Sequence, residues 1–64
     1  MSKVRLTDVN GNHLIVNADL IHFLQERTSE GIDGTWTVLV MPDNVNIIVN
    51  GTLDQTIEKL RWRV

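Results

Sequence analysis

Apolar and polar residues alternate along much of this chain with the period of two that is typical of β-strands. From Thr35 to Val40, a tryptophan and two valines alternate with threonines and a leucine. From Val45 to Asn50, valines and an isoleucine alternate with asparagines and a second isoleucine. Pro42 presets its own φ, and the Asp-Asn pair after it tolerates left-handed backbone geometry. The pattern therefore predicts two antiparallel strands joined by a tight turn.

A helical pattern follows the second of these strands. Thr52 and Gln55 have the spacing of a capping box, in which each side chain satisfies a backbone N–H of the first helical turn. Asp54 adds a negative charge where the helix dipole favours one. The apolar stripe that we expect to face a sheet comprises Leu53, Ile57, Leu60 and Val64.

The N-terminal part has the pattern of a hairpin. Alternating residues in Lys3–Val9 and His13–Asn17 flank Asn10-Gly11, a dipeptide that favours a type I′ turn because both central positions need positive φ. The segment Leu20–Arg27 fits a strand or a helical face, and Asp19 is a candidate cap for a helical turn. Its short length and its β-branched and aromatic residues favour a strand that bends at its start.

Residues 28 to 34 are polar and contain two glycines, so they predict a loop. Ile32 is isolated there. Two interpretations are open for it: it anchors the loop, or it is an exposed contact for a partner.

These elements predict one α+β domain over residues 1–64, with four or five antiparallel strands in a curled sheet and one C-terminal helix. The apolar residues exceed what one helix can cover. They either close the sheet into a small barrel or form a contact patch, and we favour the patch. The predicted core comprises Val4, Leu6, Leu14, Val16, Phe23, Trp36, Val38, Val40, Val45, Ile47 and Val49. The opposite faces then carry Ile15, Leu20 or Ile21, Leu39 and Ile48.

Composition favours self-association and gives little sign of a polyanion partner. The chain has 64 residues, no cysteine and a net charge of −2, so a small core must suffice without disulfides, and oligomerisation is a common remedy. Without a signal sequence or a long apolar stretch, we expect a cytoplasmic protein with no transmembrane segment. Only three aromatic residues are present, which disfavours an RNA-binding sheet.

The C-terminal tail concentrates positive charge. Lys59, Arg61 and Arg63 fall in the last six residues, with Trp62 between the arginines. The simplest explanation is that cations near a helix C-terminus complement its dipole. The alternative is that the tail contacts an acidic partner, a phosphate or a membrane headgroup.

No residue pattern indicates a catalytic, cofactor-binding or metal site, so we predict a protein that is not an enzyme and that has no cofactor. His13 and His22 stand apart from other metal ligands, and no glycine-containing turn matches a phosphate-binding fingerprint. The predicted function is a protein-interaction or self-assembling module. The predicted contact residues are Ile15, Leu39, Ile48, Arg61, Trp62 and Arg63.

A second class remains open, in which a small oligomer holds a nucleotide or another anion at a subunit boundary. The candidate side chains for that ligand are Arg5, Arg27, Arg61, His13 and His22. A phage-encoded antagonist of a host protein would likewise have a sequence without a recognisable catalytic or ligand-binding motif.

The chain also resembles the small flagellar-motility family called FlbD or SwrD. The resemblance rests on the strand and Asn-Gly turn from Val4 to Gly11 and on the run Leu14–Ile21, which includes Asn17-Ala18-Asp19-Leu20-Ile21. Thinner matches occur in Thr37–Leu39, in Asn46–Val49 and in the helix Thr52–Leu60. The chain departs from the family in the long connection from Gln25 to Thr35, in the Pro42 turn and in the Arg61-Trp62-Arg63 tail. The resemblance implies a non-enzymatic bacterial accessory protein that supports flagellar motor output through contact.

Overall fold

The computed structural model describes residues 3–28 and 34–62. These residues form five strands, one α-helix and two short 3₁₀ turns. The strands are β1 (Lys3–Thr7), β2 (His13–Asn17), β3 (Phe23–Thr28), β4 (Thr35–Val40) and β5 (Asn46–Asn50). The helix is α1 (Leu53–Leu60), and the 3₁₀ turns are Ala18–Leu20 and Pro42–Asn44.

The strands form two antiparallel sheets, a β1–β2 hairpin and a sheet in the order β3-β4-β5. The predicted α+β class is confirmed, whereas the prediction of one curled sheet of four or five strands is wrong. The chain turns away from the hairpin through the Ala18–Leu20 turn, where the Asn17 side chain accepts a hydrogen bond from the Asp19 N–H at 3.0 Å. The hairpin reaches the second sheet through a bond from the Val9 N–H to the Ile48 carbonyl at 3.0 Å.

Most local predictions are confirmed. The ambiguous segment is the Ala18–Leu20 turn followed by β3, which is a strand with a bend at its start. The reversal between β4 and β5 uses Asp43 and Asn44, both with φ of 61°. The first hairpin differs from a type I′ turn, because Gly11 has a positive φ of 84° and Asn10 does not. Its wider loop is held by the Asp8 side chain.

The core lies between the hairpin, α1 and one face of the three-stranded sheet. The helix packs against β3 and β4. Two buried threonines are accommodated because their hydroxyls donate to backbone carbonyls, Thr37 to Gly51 at 3.1 Å and Thr56 to Thr52 at 3.0 Å. The buried apolar cluster comprises Leu6, Val16, Ala18, Ile21, Leu39, Val49 and Leu60.

The two faces of β4 are the reverse of the prediction. Leu39 lies opposite Leu24 and Ile47 in the register and is fully buried, so it belongs to the core. The predicted core residues Trp36, Val38 and Val40 point to the other face. A strand with apolar residues on both faces does not reveal which face the helix covers, and the Thr37 hydrogen bond offsets the cost of burying its hydroxyl. Phe23 and Val45, also predicted as core, are about half exposed.

The helix begins as predicted. Thr52 and Gln55 form a complete capping box. Glu26 on β3 adds a tertiary cap, since its carboxylate accepts a hydrogen bond from the Leu53 N–H at 2.7 Å. The helix ends at Leu60 and is capped by Arg61, which has a left-handed φ of 55°. The predicted stripe residue Val64 lies outside the described residues, as do Ile32 and Arg63.

Candidate functional site

An apolar patch occupies the face of the three-stranded sheet that points away from the core. The register aligns Phe23 with Val40 and Val38 with Ile48, so their side chains share this face. The outer apolar patch comprises Phe23, Trp36, Val38, Val40 and Ile48.

No described element covers this patch. Phe23 is 53% exposed and Ile48 is 38% exposed. Val38 is 9% exposed and lies outside the core cluster. Within the residues that the structure describes, the helix and the hairpin are packed on the opposite side of the sheet.

Polar side chains surround the patch. Gln25 and Arg27 lie along β3, and Asn46 and Asn50 lie at the two ends of β5. The Arg27 guanidinium donates a hydrogen bond to the Gln25 amide oxygen at 3.3 Å. An apolar centre with a polar rim is the usual anatomy of a protein interface.

The structure separates the predicted apolar contact residues. Ile48 lies in the outer apolar patch, Ile15 is on the exposed face of the hairpin, and Leu39 is in the core. Ile15 is 69% exposed and lies opposite Arg5 rather than beside Ile48. The placement of Leu39 on a contact face was therefore wrong, because the fold buries that side of β4.

The tail residues also have different environments. Arg61 is exposed at the end of α1. Trp62 is half-buried against the core, and its indole N–H donates to the Ala18 carbonyl at 3.3 Å. A tail contact would need an exposed aromatic residue, but Trp62 is largely occupied in holding the end of the chain against the core.

The residues suggested for an anion site are spread over several elements. Arg5 and His13 lie on the hairpin, His22 and Arg27 near opposite ends of β3, and Arg61 after α1. One groove, of about 150 Å³, lies between the hairpin loop and β5, and another lies along α1 beside Gln55, Glu58 and Lys59. Neither of these two grooves is lined by the suggested arginines or histidines.

The described part of the chain contains no cluster of three or more histidine, cysteine, aspartate or glutamate residues that could hold a metal ion. Within residues 3–28 and 34–62, no helix has the length and apolar character that a membrane crossing requires.

Asp8 organises the hairpin loop that borders the first groove. Its carboxylate accepts hydrogen bonds from the N–H groups of Asn10 and Asn12, each at 2.9 Å, and from the Asn12 side-chain amide at 3.2 Å. The Asn12 backbone N–H is the main cause of a pKa of Asp8 below its ordinary value of 3.8, and desolvation opposes it. The charged form of Asp8 is therefore favoured in the folded chain.

Acid is expected to remove the stabilising contribution of the Asp8 charge. Because its folded-state pKa is lowered from 3.8, that contribution is present above this value and is lost as the pH falls through the folded-state pKa. We expect Asp8→Asn to melt below the unsubstituted chain near neutral pH, and the two melting temperatures to converge only as the pH falls below 3.8 and through the lowered folded-state pKa of Asp8. Thermal melts followed by circular dichroism measure this. A difference that stays constant down to pH 2 would contradict it.

The sequence indicated that the chain has surplus apolar surface, but it did not indicate which residues form that surface. Apolar residues on both faces of β4 and β5 were the signal, as is typical of a strand buried from both sides. Phe23, Trp36, Val38 and Val40 were missed as members of the outer apolar patch because they were assigned to the core face; of the four, only Phe23 is exposed, and Val38 is buried. Only the register shows that they share one face with Ile48.

Comparisons with known proteins found no matching family model, no matching curated protein and no matching solved structure. The resemblance to the FlbD or SwrD family therefore stays a prediction.

Proposed function

We propose that this chain is a non-enzymatic, cytoplasmic self-assembling module in which the outer apolar patch docks on the same patch of a second copy. The observation that supports this proposal is the exposed, uncovered position of Phe23 and Ile48 on a sheet face that also carries Trp36, Val38 and Val40. Such a face is costly to leave in water, and burying it is favourable in proportion to its apolar area.

The chemistry of the face suits a second copy. Two patches that meet about a two-fold axis place apolar side chains against apolar side chains. The amides of Gln25, Asn46 and Asn50 on the rim can each donate and accept hydrogen bonds, so they can pair with themselves. Arg27 lies toward one end of the face rather than at its centre, so a symmetric contact forces no like charges together there.

The size of the core also favours a second copy. A domain of 64 residues buries a smaller fraction of its unfolded surface than larger domains do, and this chain has no cysteine to add a disulfide. Association would bury further apolar surface and stabilise each copy by mass action.

The biological setting that we propose is bacterial motility, and it rests on the resemblance alone, whose main part is residues 4–21. Flagellar genes beside the coding sequence would support that setting. Phage genes would point instead to an antagonist of a host protein.

Charging the patch tests the proposal. We expect Ile48→Glu to halve the particle mass in sedimentation velocity and to leave the circular dichroism spectrum unchanged, because the side chain is already partly exposed. Ile15→Glu is the matched control: it makes the same change at a more exposed position on the hairpin, and it should leave the mass unaltered. An unchanged mass for Ile48→Glu, or an unsubstituted chain that is monomeric, would refute the proposal.

A further inference from the structure

The outward edge of β3 is open in the described chain. β3 is an outer strand of its sheet, and five of its six residues are exposed. β5 is the other outer strand, but its Ile48 carbonyl already accepts a hydrogen bond from the hairpin at Val9. No described strand pairs with the free side of β3.

The ladder shows which backbone groups point outward. The bonds from Gly51 N–H to Thr35 carbonyl and from Met41 N–H to Val45 carbonyl continue the β4–β5 register, so odd-numbered residues of β4 are bonded toward β5. Even-numbered residues of β4 are then bonded toward β3, and they lie opposite Phe23, Gln25 and Arg27. The N–H and C=O groups that face outward from β3 therefore belong to Leu24, Glu26 and Thr28.

This edge carries little protection against pairing. β3 has no proline and no lysine, two common means of blocking an edge strand. The Glu26 carboxylate is held on the core side by the Leu53 N–H. The six extended residues of β3, three of which have outward-facing backbone groups, form a template that another strand can join.

We infer that β3 pairs with β3 of a second copy, antiparallel and centred on Gln25. The outward groups belong to even-numbered residues, so a symmetric pair can be centred on Leu24, on Gln25 or on Glu26. Centring on Leu24 pairs fewer residues, and centring on Glu26 places two carboxylates directly opposite each other, which is destabilising. Centring on Gln25 has neither fault.

The register centred on Gln25 is chemically self-complementary. Phe23 then lies opposite the partner's Arg27, and Arg27 lies opposite the partner's Phe23, so the pair contains two cation–π contacts. Gln25 lies beside the partner's Gln25, where each amide can donate to the other. Leu24 and Glu26 exchange backbone hydrogen bonds with the partner strand.

This edge contact would double the sheet face that carries the outer apolar patch, with Gln25 and Arg27 of both copies at its middle, and in that respect the inference rests on the proposed function. At standard strand spacing and rise, the face of one three-stranded sheet has a footprint of roughly 300 Å². A stable interface buries about 800 Å² on each partner. Pairing through β3 makes one six-stranded sheet with twice the footprint, and two such sheets stacked face to face make a tetramer.

The test combines charges at Gln25 with the patch variant. Gln25 is exposed, so a charge there is compatible with the folded monomer, but on the two-fold axis it faces an identical charge. We expect the unsubstituted chain to be a tetramer, Ile48→Glu to be an edge-paired dimer, and Ile48→Glu with Gln25→Glu to be a monomer. Mixing that double variant with Ile48→Glu/Gln25→Lys should restore a dimer that contains one copy of each, as seen by native mass spectrometry.

The outcomes separate the two proposals. An unsubstituted dimer that Ile48→Glu reduces to a monomer would overturn the edge contact and leave the proposed function standing. A dimer that persists in Ile48→Glu but dissociates in Gln25→Glu would support the edge contact and overturn the docking of the patch. Failure of the oppositely charged variants to pair would refute the register centred on Gln25. Asn50→Glu, a charge on the same face at β5, is the control for Gln25→Glu in the Ile48→Glu background and should leave that dimer intact.

Discussion

Leu39→Ala is expected to lower the free energy of unfolding by about 3 kcal/mol. Leu39 is 0% exposed, and it lies in the cluster formed by the hairpin, α1 and the inner sheet face. Truncation removes buried methyl groups and leaves a cavity that the surrounding strands can fill only in part. Urea unfolding followed by tryptophan fluorescence measures the change.

Ile15→Ala provides the comparison for that measurement. Ile15 is 69% exposed on the hairpin, so its truncation should change the free energy of unfolding of the folded copy by no more than about 0.5 kcal/mol. If Leu39 instead belonged to a contact surface, its truncation would weaken association and leave the stability of the monomer nearly unchanged. Running both variants in the Ile48→Glu background keeps the loss of patch docking the same for each.

Trp62→Ala is expected to lower the free energy of unfolding by about 2 kcal/mol. The indole packs against the core cluster and donates to the Ala18 carbonyl at 3.3 Å, which ties the end of α1 to the turn after the hairpin. A helix of eight residues is marginal alone in water, so it depends on such tertiary contacts. Thermal unfolding followed by circular dichroism measures the loss.

Trp62→Phe separates packing from hydrogen bonding. It keeps an aromatic ring and removes the N–H donor, so we expect a loss of about 1 kcal/mol. Arg61 is the exposed neighbour of Trp62. Arg61→Lys keeps its charge, so this substitution should leave the free energy of unfolding nearly unchanged. If Trp62→Ala preserved stability and lowered only the particle mass, Trp62 would be a contact residue, as its position in the tail first suggested.

Local structure was the most predictable part of this fold. The capping box at Thr52 and Gln55, the left-handed turn at Asp43 and Asn44 and the N-terminal hairpin all depend on interactions within a few residues. Such interactions can be predicted from the types of neighbouring residues and their spacing. The type of the hairpin loop was less predictable, because the Asp8 carboxylate competes with the Asn-Gly preference by satisfying the N–H groups of a wider loop.

The sequence predicted that the candidate site would be an apolar surface, but it did not predict which residues would form that surface. Apolar residues on both sides of β4 and β5 indicated an excess that one helix cannot cover. Leu39 and Val38 are neighbours with similar side chains, and nothing in their own chemistry tells which of them the helix covers.

The amino-acid sequence by itself determined that this protein is a small α+β chain with strand pairs, a capped C-terminal helix and apolar residues on both faces of its strands. Only the tertiary structure decided that the hairpin and the β3-β4-β5 sheet are separate, that Leu39 lies inside and that Phe23 and Ile48 lie outside. The physical reason is that the period of a strand defines two faces without labelling them. The choice between them comes from distant contacts, such as the Thr37 hydroxyl with Gly51 and Glu26 with the start of α1.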